Sequence, residues 1–184
     1  MSGLPPRPGG RGGVRGGAKR GGRGGRSYSA LPWSDYWQTK RWLDTPRGRF
    51  CCYSLGSGRS GAMVLLLHGG GYSALTWSLL AKDLGQLVDC SLVAVDLRGH
   101  GETGVAGEEA DLSGETMVED VRAVVAALEV EEGRGVVLVG HSMGGALAAL
   151  VAEAGVPGLV GLVVVDVVEG TALEALAGMQ GVLR

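Results

Sequence analysis

The stretch from Val136 to Ala154 constrains the fold more than any other part of the chain. It opens on an apolar run, Val136 to Val139. It then passes through Gly140, His141, Ser142, Met143, Gly144 and Gly145, and continues as an alanine- and leucine-rich segment to Ala154. An apolar run bounded by glycine reads as a buried strand, and the segment after it reads as a helix. The serine therefore sits on a strand-to-helix turn, with glycine two residues before it and two after. A turn this sharp holds the serine in a strained conformation, and only residues without a Cβ leave room for the neighbouring backbone. Ser142 becomes a candidate nucleophile lifted above the strand ends. A structural turn with no chemistry is the competing reading.

The same rhythm runs through most of the chain. Arg49 to Ser54, Met63 to Leu67, Leu92 to Val95, Val136 to Val139 and Leu159 to Val165 read as strands. The later ones are continuous Val/Leu runs, as parallel strands covered on both faces require. Amphipathic or alanine-rich segments near 73–86, 113–129 and 143–154 read as the helices between them. This alternation predicts an α/β fold with an open, doubly wound, mostly parallel sheet and right-handed crossovers.

Charge divides the chain in two. Residues 1–26 hold seven basic residues, no acidic one and mostly glycine, with Arg-Gly-Gly starting at Arg11, Arg15, Arg20 and Arg23. Too few apolar residues are present to offset the entropy of ordering, so a disordered tail is expected. RNA binding through residues 1–26 is the weaker reading, because no aromatic residue is interleaved before Tyr28. The remaining segment, 27–184, carries ten of the 17 basic residues against all 19 acidic ones. Three cysteines, Cys51, Cys52 and Cys90, form neither a disulfide framework nor a metal-ligand spacing. With no apolar run long enough for a membrane span, an intracellular, membrane-free protein is expected. Trp33, Trp37 and Trp42 are expected to pack against the body.

Other residues gather where strands end. His68, Gly69, Gly70 and Gly71 follow the strand ending at Leu67, so their N–H groups, with that of Met143, could hold the oxyanion of a tetrahedral intermediate. Gly70, Gly71 and Met143 are the candidate donors, and a phosphate cradle or a plain tight turn are the alternatives. Asp166 ends the strand Leu162 to Val165; it could orient a histidine or cap a helix beginning near Gly170 or Thr171. Asp96 also ends a strand, before what reads as a structural turn. The general base has no obvious candidate. Of the three histidines, His141 lies in the elbow with its side chain expected to point away from that of Ser142, while His68 and His100 lie in turns; all three read as structural.

Several of these stretches together resemble the protein phosphatase methylesterase family of α/β hydrolases: Pro32 to Trp37, Leu65 to Trp77, Asp96 to Thr103, Asp111 to Met117, the elbow, and Asp166 to Ala172, with Met179 and Gln180 beyond. The resemblance runs from about residue 27 to residue 184. It implies a serine carboxylesterase that removes the methyl ester from the C-terminal leucine of the protein phosphatase 2A catalytic subunit, in the cytoplasm or nucleus and without a metal or organic cofactor. Ser142 matches the family nucleophile and Asp166 the family acid, which leaves Asp96 a structural role. The family's lid, last strands and triad histidine have no counterpart here. The expectation is therefore an α/β-hydrolase-type sheet truncated after the sixth strand, inactive alone and with an apolar edge near Val163 prone to association.

Overall fold

A computed structural model describes residues 29–107 and 111–167. The Arg-Gly segment 1–26, the helix start near Gly170, and Met179 with Gln180 lie outside the described residues. Among the described residues seven strands form one mixed sheet: β1 (Thr39–Thr45), β2 (Gly48–Leu55), β3 (Met63–Leu67), β4 (Ser91–Val95), β5 (Gly104–Val105), β6 (Val136–His141) and β7 (Leu159–Val165). Their order is β1-β2-β4-β3-β6-β7, with β5 paired to β2. Strands β4, β3, β6 and β7 run parallel. A hairpin of β1 and β2 joins antiparallel along β4.

The helices are α1 (Ser78–Leu87), entered through a single 3-10 turn at Ala74–Trp77, α2 (Gly114–Ala127) and α3 (Met143–Ala154). Alternation along β3 shows why they lie on both faces. Leu65 and Leu67 join Met117, Val121, Val124, Leu147 and Val151 of α2 and α3 in one core. Val64 and Leu66 point the other way, into a second core with Trp37, Trp77 and Ala81. A strand whose successive side chains are all buried reads as an unbroken apolar run, as the sequence does.

Two strands were not visible in the sequence. β1 carries Lys40, Arg41 and Asp44 among its seven residues, and only Leu43 is buried. An edge strand with one wet face loses the apolar signature, and the tryptophan cluster drew its residues into a packing segment instead. The cluster itself divides. Trp37 is buried and Trp33 partly so, whereas Trp42 is exposed on β1, its ring flanked by Lys40 and Arg49. β5 has only two residues, too short for any periodic signal. At the other side, β7 is the sixth long strand, and Val160, Leu162, Val163, Val164 and Val165 along it are all exposed.

Local chemistry fixes where α2 begins. Ser113 accepts the N–H of Thr116 at 3.4 Å as the N-cap, and Glu115 lies in the first turn. Asp111 accepts the Thr116 hydroxyl at 2.6 Å and the Ser113 N–H at 3.0 Å. These bonds, Thr116's first, hold its carboxyl down at about 2.

Farther along α2, Asp120 is buried between two guanidinium groups. Arg98 Nε and Nη2 donate to it at 2.6 and 2.9 Å, and Arg47 Nε donates at 2.9 Å. The cluster ties the helix to the loop after β4 and to the β1–β2 turn. Removing one partner of a buried pair leaves a desolvated charge behind. Asp120→Ala is expected to lower the unfolding free energy by about 3–5 kcal/mol in urea titration. Arg122→Ala, at an exposed pair with Glu119, is expected to change it by less than about 0.5 kcal/mol.

Candidate active site

Ser142 stands between the end of β6 and the first turn of α3 with φ 51° and ψ −118°, a conformation that side chains rarely adopt. Such backbone strain is of the order of 1–3 kcal/mol and persists only where the surroundings enforce it. They do so here by proximity. A Cβ on Gly140 would lie 2.1 Å from the Gly144 carbonyl oxygen, and one on Gly144 would lie 2.3 Å from that of Leu67. The strand end and the helix start thus touch backbone to backbone. The Ser142 N–H donates to Val165 O at 2.9 Å, and its own carbonyl accepts the N–H groups of Gly145 and Ala146. The side chain is left exposed at the carboxyl ends of the parallel strands, where open α/β sheets place their sites.

The glycine turn after β3 lies against this elbow. A Cβ on Gly69 would meet the His141 ring at 2.8 Å and the Ser142 Cβ at 3.3 Å, and one on Gly70 would be 3.6 Å from Met143 Sδ. Met143 is the first residue of α3, so its N–H has no acceptor within the helix and carries the positive end of the dipole. Gly70 and Met143 are thereby brought together. The Gly71 N–H donates to His100 Nε2 at 3.0 Å.

Asp166 follows β7 directly, one residue past the Val165 that binds Ser142 N–H. It has φ 53°, and its carboxylate is mostly exposed. His141 lies beside it, with Nε2 3.7 Å from Asp166 Oδ2. The His141 ring also meets Tyr72 edge-on at 5.9 Å. His141 therefore lies among the site residues, closer to them than the sequence reading of a structural histidine turned away implies. Its position was hidden because Asp166 and Gly69, which flank it, come from two other strand ends.

Asp96 is fully buried and accepts two N–H groups, from Ala74 at 2.7 Å and Glu102 at 2.9 Å. It ties the loop after β3 to the loop after β4, and Thr103 reinforces the tie by bonding both Asp96 O and the Cys51 N–H. His68 is equally structural. Its Nε2 accepts the Leu97 N–H at 3.0 Å and its Nδ1 lies 2.8 Å from Gly69 O. Burial pushes its imidazole below the ordinary 6.5.

An open α/β sheet carrying a strained, glycine-flanked serine at its carboxyl edge defines the class. The chain belongs to the alpha/beta hydrolase family, whose sequence model matches residues 64–183. It shares 46% identity with protein phosphatase methylesterase 1 of Bos taurus over 186 residues, covering 98% of this chain and 48% of that protein. The probable protein phosphatase methylesterase 1 of Caenorhabditis elegans is also 46% identical, over 84% of this chain and 42% of that protein. The chain thus spans about half the length of these relatives. Among solved structures, a putative epoxide hydrolase from Pseudomonas aeruginosa superposes with a TM-score of 0.65 at 25% identity, covering 79% of this chain and 49% of that one. A thioesterase domain from the curacin biosynthetic pathway does so with a TM-score of 0.61 at 27% identity, over 78% and 52%.

Two outcomes test this geometry. Gly144→Ala forces a methyl group into the Leu67 carbonyl and is expected to cost at least about 1–3 kcal/mol, read as a lower urea midpoint. For His68 the unfolded chain binds a proton at higher pH than the folded one. Stability is therefore expected to fall as pH drops below 6.5 toward the lowered folded value. The slope of unfolding free energy between pH 7 and 5 should flatten in His68→Gln. Asp111 acts in a separate window, its contribution lost as pH falls from 3.8 through about 2.

Proposed function

We propose that this chain carries the nucleophile, acid and oxyanion donors of a serine carboxylesterase that demethylates the C-terminal leucine methyl ester of the protein phosphatase 2A catalytic subunit. The observation that carries this reading is the strained Ser142 set against the Gly69–Gly70 turn. The methylesterase relatives support the choice of ester.

In this reading Ser142 Oγ attacks the ester carbonyl, and the Gly70 and Met143 N–H groups hold the oxyanion. Methanol leaves, and water then releases the free carboxylate. Asp166 orients the imidazole that takes the Ser142 proton. None of the three histidines in this sequence fills that role. His68 and His100 each use Nε2 to accept a backbone N–H, and His141, though its Nε2 lies 3.7 Å from Asp166 Oδ2, makes no hydrogen bond to Ser142. The base is a further histidine supplied from outside these residues. The enzyme works inside the cell, a setting that three free, buried cysteines suit.

Loss of the base from a serine hydrolase costs on the order of 10⁶ in turnover. The 184-residue chain is therefore expected to hydrolyse a peptide ending in leucine methyl ester on the order of 10⁶-fold more slowly than the complemented enzyme, and to label slowly with a fluorophosphonate. Adding the C-terminal half of the Bos taurus relative should restore hydrolysis, with Ser142→Ala and Asp166→Ala remaining inactive. Rapid stoichiometric labelling of the chain alone would overturn the missing-base assignment. A restored activity indifferent to Ser142→Ala would overturn the esterase reading.

A further inference from the structure

The turn that would receive the oxyanion has no side chain with which to hold itself. Gly69 O accepts the Tyr72 N–H at 3.2 Å, which closes a four-residue turn around Gly70 and Gly71. Gly71 has φ +75°, the mark of a type II turn. With glycine at both central positions, the peptide joining Gly70 to Gly71 can turn over into the type I arrangement at little steric cost. Local sequence therefore does not choose between the two, and the choice has to come from elsewhere in the fold.

It comes from the loop after β4. The Gly71 N–H belongs to that central peptide, and it donates to His100 Nε2 at 3.0 Å. On the other side of the ring, Nδ1 lies 2.8 Å from the Arg98 carbonyl, which can only accept. The two bonds together define the ring: the proton is on Nδ1, and the Nε2 lone pair faces Gly71. His68 repeats the arrangement in the opposite direction. From the loop after β3 its Nε2 accepts the Leu97 N–H, and the two rings meet edge to face at 5.0 Å. Each loop thus lends one imidazole acceptor to the other's backbone. A turned-over peptide would present the Gly70 carbonyl to His100 Nε2, one acceptor against another. It would also redirect that partial negative charge on the residue whose N–H should face the oxyanion.

We propose that His100 is a positioning residue for the oxyanion turn. Through Nε2 it selects one of the two orientations open to the Gly70–Gly71 peptide. The proposal rests on the reading of Gly70 as an oxyanion donor, while its test requires no turnover.

Nitrogen-15 spectra of the 184-residue chain should show His100 protonated on Nδ1 with Nε2 as acceptor. Amide exchange should be slow at Gly71, and His100→Ala should speed it roughly five- to tenfold, the worth of one hydrogen bond. The Leu97 amide, held by His68, should keep its protection and report an intact loop. In His100→Gln the side-chain carbonyl can reach the place of Nε2 as an acceptor, so slow exchange at Gly71 should return. A ring protonated on Nε2 would overturn the proposal. So would Gly71 exchange unchanged in His100→Ala, or as fast in His100→Gln as in His100→Ala. If Leu97 protection is lost in the alanine variant, the wild-type ring and the glutamine variant decide. Failure of the esterase reading would instead appear as a complemented enzyme that ignores Ser142→Ala, with these amide data intact.

Discussion

The contact on which the site depends is one between backbones. Gly140 and Gly144 let the first turn of α3 press against the ends of β6 and β3, at separations no Cβ would allow. That contact forces Ser142 out of the ordinary backbone regions. It brings Met143 beside Gly70 and sets the helix N-terminus at the strand ends. Any side chain at either glycine would push the helix outward and relax the serine. The strain at Ser142 is thus held by packing spread over three strands and a helix, and the buried apolar cores on both sheet faces sustain it.

Much of this was legible from residue order alone. β3 and β4 are buried on both faces, so they read as unbroken apolar runs; β7 falls on Leu159–Val165 as the sequence suggests, although most of its side chains are exposed. The elbow was legible for a steric reason, since glycine spacing around a serine is itself the record of a close approach. What the sequence concealed is either weakly patterned or long-range. β1 is polar on its exposed face, and β5 is two residues long. The commitment of Gly71 to His100, and the place of His141 between Gly69 and Asp166, each depend on loops brought together only by the sheet. No local signal reports such a pairing.

The polar groups of the site divide by burial. Asp96 and His68 lie inside, have their hydrogen bonds met by backbone, and hold loops in place. Ser142 and Asp166 are exposed and strained, and His141 is only partly covered. Groups that fix shape are thus buried and satisfied, whereas groups suited to chemistry are left accessible. This explains why two carboxylates ending parallel strands, Asp96 and Asp166, have different characters despite similar places in the sequence.

The ties between the loops after β3 and β4 also bear on the order in which the molecule assembles. Asp96 reaches Ala74 across 22 residues, and His68 and His100 reach their partners across 29. Contacts of that span form only after the intervening chain has closed its loop, and they belong late in folding. A segment holding β3 and its glycines would carry the residues of the glycine turn without its shape. The shape of that turn is acquired with the sheet, so a chain that has not yet paired β3 with β4 has nothing to hold its glycines in place.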